Sequence, residues 1–91
     1  MNTSQIKCIN KQHRDNPHER ITHVGGSEAG PWKITQERAI QLIESRENEF
    51  FVMAGGHRVR VIVASRNGRK YLKTENDGDS PDNLLSLSEC P

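Results

Sequence analysis

Two short turns, Gly55-Gly56 and Asn67-Gly68, constrain this chain more than any other feature. Each lies between runs of strand-forming residues, and each suits a two-residue hairpin loop, which needs positive φ. With two residues in each loop, Phe50 faces Val61, Val52 faces Val59 and Ala54 faces His57. The second loop sets Val63 against Leu72, Val61 against Thr74 and Ala64 against Tyr71. The two registers agree. Side chains alternate between the faces of a strand, so both registers gather Val59, Val61 and Val63 on one face with Phe50, Val52 and Leu72. This predicts a three-stranded antiparallel meander with one apolar face, and that face needs a helix to cover it.

The helix is legible upstream. Thr35 is a good N-cap, and Glu37 falls in the first turn, where the helix dipole favours a negative charge. Ile34 and Ala39 are spaced as a hydrophobic staple, and Ala39, Ile40, Leu42 and Ile43 make one apolar stripe. A helix is predicted over about residues 36–46. Ahead of it, residues 5–10 alternate weakly around Ile6, Cys8 and Ile9 and read as an edge strand. Residues 20–24 are β-branched and read as a second strand, ended by Gly25-Gly26 and followed by a loop over residues 27–31. Residues 76–83 are turn-rich and acidic, and Leu84, Leu85 and Leu87 then supply an apolar patch that must dock. The expected fold class is α+β. One helix packs on a mainly antiparallel sheet in the order β-β-α-β-β-β, with a docked C-terminal tail. Ninety-one residues suit one domain, with residues 5–75 as its core and 76–91 as the tail.

Composition limits the core and the partners. Hydrophobic residues make up 32% of the chain, and with seven glycines the apolar share is about 39%, below the usual roughly 45–50%. The formal charge of +1 argues against a uniformly basic nucleic-acid binder. It is, however, a sum of opposed segments. Residues 1–75 hold all 13 Lys and Arg and eight acids, giving +5, while residues 76–91 hold four acids and no base, giving −4. The polar start shows no secretory pattern, and the longest apolar run, Phe50-Phe51-Val52-Met53-Ala54, is far short of a membrane helix. A cytoplasmic protein away from membranes is expected. There Cys8 and Cys90 are expected as thiols; bonded to each other, they would close a loop over nearly the whole domain.

Several runs, taken in order, carry a resemblance. They are Ile21-Thr22-His23-Val24-Gly25-Gly26, Trp32, Ala39-Ile40 with Ile43-Glu44, and Phe50-Phe51-Val52 with Gly55-Gly56. Val59 with Val61, Tyr71-Leu72-Lys73-Thr74, and Asp82-Asn83-Leu84-Leu85-Ser86-Leu87 up to Cys90 continue the pattern. Over about residues 5–90 the chain resembles a family of small, mostly bacterial proteins known only as a domain of unknown function. It departs at Phe51, where family members often have tyrosine, and at Ser88, where proline is frequent. The resemblance implies a single α+β domain and brings no activity, cofactor or catalytic residue.

Three groups of residues are candidates for chemistry. The sheet face away from the helix should show Phe51, Met53, Arg58, Arg60, Ile62, Ala64, Tyr71 and Lys73. Rings interleaved with cations are what single-stranded nucleic acid uses. From His57 through Lys73 there are six Lys and Arg residues and no acid, and Arg66 and Arg69 flank the second turn. Against this, the register sets Arg60 opposite Glu75 and Arg58 opposite Asp77, as in cross-strand ion pairs. Cys8, His13, His18 and His23 recur every five residues; with Cys90, the candidate zinc ligands are Cys8, His18, His23 and Cys90, a set of suitable type without a tight ligand-pair spacing. The glycine-rich segment 25–30 ahead of the helix lacks the Gly-Lys-Ser/Thr of a phosphate-binding loop.

No nucleophile, base and orienting group can be assembled from spacing, so no enzyme activity and no cofactor is expected, with zinc as the exception to test. The expected role is a small non-catalytic interaction module. Its partner is a protein, a second copy included, held by Phe51, Arg58, Arg60, Arg66, Arg69, Tyr71 and Lys73. Single-stranded nucleic acid on the same face is the alternative.

Overall fold

The computed structural model describes residues 2–12, 21–27, 30–66, 68–75 and 82–90. Its strands are β1 (Asn2–Gln5), β2 (Cys8–Lys11), β3 (Ile21–Gly26), β4 (Trp32–Thr35), β5 (Asn48–Ala54), β6 (His57–Arg66), β7 (Arg69–Thr74) and β8 (Ser88–Glu89). Helix α1 (Gln36–Glu44) separates β4 from β5, and a single turn, α2 (Asp82–Leu85), precedes β8. The strands form two four-stranded sheets, ordered β1-β5-β6-β7 and β4-β3-β2-β8.

The meander is as the turns predict. Gly55 and Gly56 have φ of 59° and 80°, in the left-handed region that favours glycine. The rungs Val52–Val59 and Ala54–His57 follow, and in the second hairpin Val61–Thr74, Val63–Leu72 and Ala64–Tyr71. Phe50, Val52, Val59, Val61 and Leu72 are buried on the inner face and share one core with Ala39 and Ile40 of α1. Thr35 caps the helix by accepting a hydrogen bond from the Arg38 backbone N–H at 3.1 Å. The helix takes in the whole apolar stripe and ends at Glu44, two residues before the expected end. Ser45 is its C-cap and Arg46 turns to φ 62°, while the Arg46 and Glu47 N–H groups bond back to the carbonyls of Ile43 and Leu42.

Elsewhere the expected order and the single sheet are corrected. The strand foreseen over residues 5–10 is two strands in different sheets. The chain changes partners at one residue pair: the Ile6 N–H bonds to the Phe51 carbonyl and the Lys7 N–H to the Gly25 carbonyl, each at 2.8 Å. Ile6 is buried at that corner. β1 pairs parallel with β5, and β8 pairs parallel with β2. Gly25-Gly26 does not end a strand but lies within β3, paired with Lys33 and Trp32 of β4. β4 also stands between the glycines and α1, so they do not form the helix N-terminus. The tail adds α2, whose Leu84 is fully buried in the shared core, and the short strand β8. Among the described residues no helix is long and apolar enough to cross a membrane.

Candidate binding face on the first sheet

The outer face of the first sheet is built by the same alternation that builds its inner face. Phe51 pairs with Arg60, Met53 with Arg58, Ile62 with Lys73, and Ala64 with Tyr71, so the outer roster is the expected one. The Arg58 guanidinium lies 3.9 Å from the centroid of the Phe51 ring, one rung away on the diagonal. That contact holds a cation over an aromatic face. Arg60 stands beside it, exposed. A concavity of about 250 Å³ opens here, lined by Thr3, Glu49, Phe51, Arg58, Arg60 and Glu75 among others.

Arg60 and Glu75 are neighbours across the strands, and the Glu75 N–H donates to the Arg60 carbonyl at 2.9 Å. Among the described residues their side chains do not form an ion pair. The other foreseen pair, Arg58 with Asp77, lies outside the described residues. Phe51 and Tyr71 are not open rings: 7% and 3% of their surfaces remain exposed. Among the described residues Met53, 48% exposed, is the one large hydrophobic side chain left open.

The basic residues do not form one patch. Arg66 and Arg69 face each other at the hairpin tip, roughly 20 Å along the strand from Arg60 at about 3.3 Å per residue. Lys70 is held by Glu44 of α1 at 2.7 Å. Lys73 is half-buried beside Ile62. The structure brings Phe51, Arg58 and Arg60 together, sets Lys73 on the diagonal from Arg60, and leaves Tyr71, Arg66 and Arg69 further along towards the hairpin tip. The residues missed by sequence reasoning are Thr3 and Glu49, which reach the concavity because β1 adds to β5 in parallel, a long-range pairing no local signal announces.

The zinc set is corrected. Cys8 and Cys90 are bonded to each other as a disulfide, so neither is the thiolate a zinc ion needs. His23 lies in β3 with its Nδ1 2.9 Å from the Thr22 hydroxyl, and His13 and His18 lie outside the described residues. Among the described residues no three His, Cys, Asp or Glu side chains are placed to hold a metal ion.

These features define a small two-sheet α+β domain with a compact arginine ledge on one open sheet face. The chain belongs to the family described as "Protein of unknown function (DUF3892)", whose model matches residues 5–88. No curated protein and no solved structure matches it. The matched span takes in β2 to β7, α1 and the arginines of the ledge, reaches one residue each of β1 and β8, and stops two residues before Cys90.

Proposed function

We propose that this domain is a small non-catalytic binding module that takes an acidic segment of a protein partner on the outer face of its first sheet. The observation that carries this reading is the pair Arg58 and Arg60: one stacked on Phe51, the other exposed beside it, neither in an ion pair among the described residues. Stacking fixes the guanidinium plane, so less side-chain freedom is lost when a carboxylate binds in bidentate fashion. Glu49 and Glu75 flank the ledge. Their charges suit one discrete acidic side chain between them and oppose a continuous polyanion. The burial of Phe51 and Tyr71 leaves no ring face on which a base would stack, which favours protein over single-stranded nucleic acid. A second copy has suitable chemistry, since residues 76–91 carry four acids and no base.

Fluorescence anisotropy with a labelled hexaglutamate peptide and a labelled oligothymidylate, both at low salt, tests the reading. The wild type should bind the peptide, and Arg58→Gln with Arg60→Gln should weaken it about tenfold. Binding that the double variant retains in full overturns the assignment of the ledge. Tighter retention of the oligothymidylate than of the peptide, lost in the same variant, replaces it with the nucleic-acid reading. Concentration-dependent mass in sedimentation, abolished by the double variant, would identify the partner as a second copy.

A further inference from the structure

The disulfide ties together residues 82 positions apart, and it does so at the outermost edge of the second sheet. β8, which it anchors, has two residues, both exposed, and pairs with β2 through only two rungs, Cys8–Ser88 and Ile9–Glu89. Around it, the Cys90 N–H bonds to the Ile9 carbonyl at 3.0 Å, and the Asn10 amide donates to the Cys90 carbonyl at 3.2 Å. Both cysteines are half-buried, and neither is sealed in the core. Gly25 lies directly beneath: a Cβ there would stand 2.9 Å and 3.0 Å from the two sulfurs. The backbone is thus shaped to receive the bonded pair. What the bond retains is not trivial, because Leu84 of the same segment fills the core beside β2, β5 and β7. The contacts of β5, β6, β7, β3 and α1 with one another do not pass through residues 82–90.

We propose that the Cys8–Cys90 bond is a thiol–disulfide exchange site that latches residues 82–90 onto the second sheet, so that reduction opens this segment while the rest of the domain stays folded. The reductant is a dithiol. Its thiolate attacks one sulfur of the pair, forms a mixed disulfide and releases the other as a thiolate. Its second thiol then displaces the remaining sulfur. Two electrons and two protons pass to the protein, which ends with two thiols, and the dithiol ends as a disulfide. Opening withdraws Leu84 and uncovers the apolar surface it filled, the kind of surface that recruits another chain.

Hydrogen exchange read by mass spectrometry on the full chain, before and after dithiothreitol, tests this together with thiol titration. Two thiols should appear only after reduction. Exchange over residues 82–90 should then rise about tenfold or more, with β5 and β6 unchanged. Cys90→Ser should match the reduced chain under both conditions. Two reduced thiols with unchanged exchange overturn the latch. Loss of protection throughout the chain overturns it too, because the bond is then a staple of the whole fold. Free thiols that persist under a mild oxidant show that the bond does not form. None of these outcomes bears on the Arg58–Arg60 ledge.

Discussion

At the scale of single residues, Gly25 is the position where one carbon decides most. A Cβ on it would meet the Trp32 carbonyl oxygen at 2.6 Å as well as the two sulfurs. The first is backbone of the neighbouring strand and the others are tethered to each other, so none can swing aside. Overpacking of this kind costs roughly 1–3 kcal/mol. Gly25→Ala should therefore destabilise the domain by about 2 kcal/mol in urea unfolding, with an unchanged slope. A loss below about 0.5 kcal/mol would mean that β3 and β4 separate easily. In sequence, Gly-Gly after a β-branched run reads as a terminator, because glycine marks a turn and a close backbone approach in the same way. Only the residues across the sheet distinguish them: Trp32 and Cys8 are 7 and 17 positions from Gly25, and nothing local links them. The outer-face residues were legible from alternation alone. The burial of Phe51 and Tyr71 was not, since it depends on the volume of what surrounds them.

At the scale of elements, the two sheets meet around α1, and its first residue is the joint. The Gln36 side chain accepts the Leu72 N–H of edge strand β7 at 3.1 Å and donates to the Ile21 carbonyl of β3 at 3.3 Å. One amide thus pairs a backbone donor from the first sheet with an acceptor from the second. Leu72 is fully buried, so its N–H has no ready substitute in water. An unsatisfied buried donor costs about 1–3 kcal/mol. Gln36→Ala should lower stability by about 1–2 kcal/mol and accelerate exchange of the Leu72 amide in NMR more than that of Val61. Uniform acceleration would show that the amide matters only through global stability. The hairpins could be read from sequence because turn chemistry and period-2 alternation are local. β4 and β8, with four and two residues, are too short for a period to register. The break between β1 and β2 left no mark, because a strand pattern does not say which sheet receives it.

At the scale of the whole molecule, the buried residues of the two sheets form a single core. Trp32 of the second sheet packs against Phe50 of the first with ring centroids 5.9 Å apart, and α1 contacts strands of both. The shortest covalent passage between them is the Ile6–Lys7 pair, where successive N–H groups serve different sheets. Ile6 is 1% exposed at that passage, so its side chain fills space that both sheets enclose. Removing most of an isoleucine from such a site costs about 2–5 kcal/mol through lost transfer energy and the cavity left behind. A domain of this length has roughly 5–14 kcal/mol to lose. Ile6→Ala should therefore shift the urea midpoint strongly while keeping one transition. Trp32 is the only tryptophan and reports on β4, while exchange protection in β6 reports on the other sheet. If the sheets share one core, both signals should lose stability by the same amount in Ile6→Ala. If the fluorescence transition moves and β6 keeps its protection, the sheets are separable units, and the domain is two layers that happen to touch rather than one closed around Ile6.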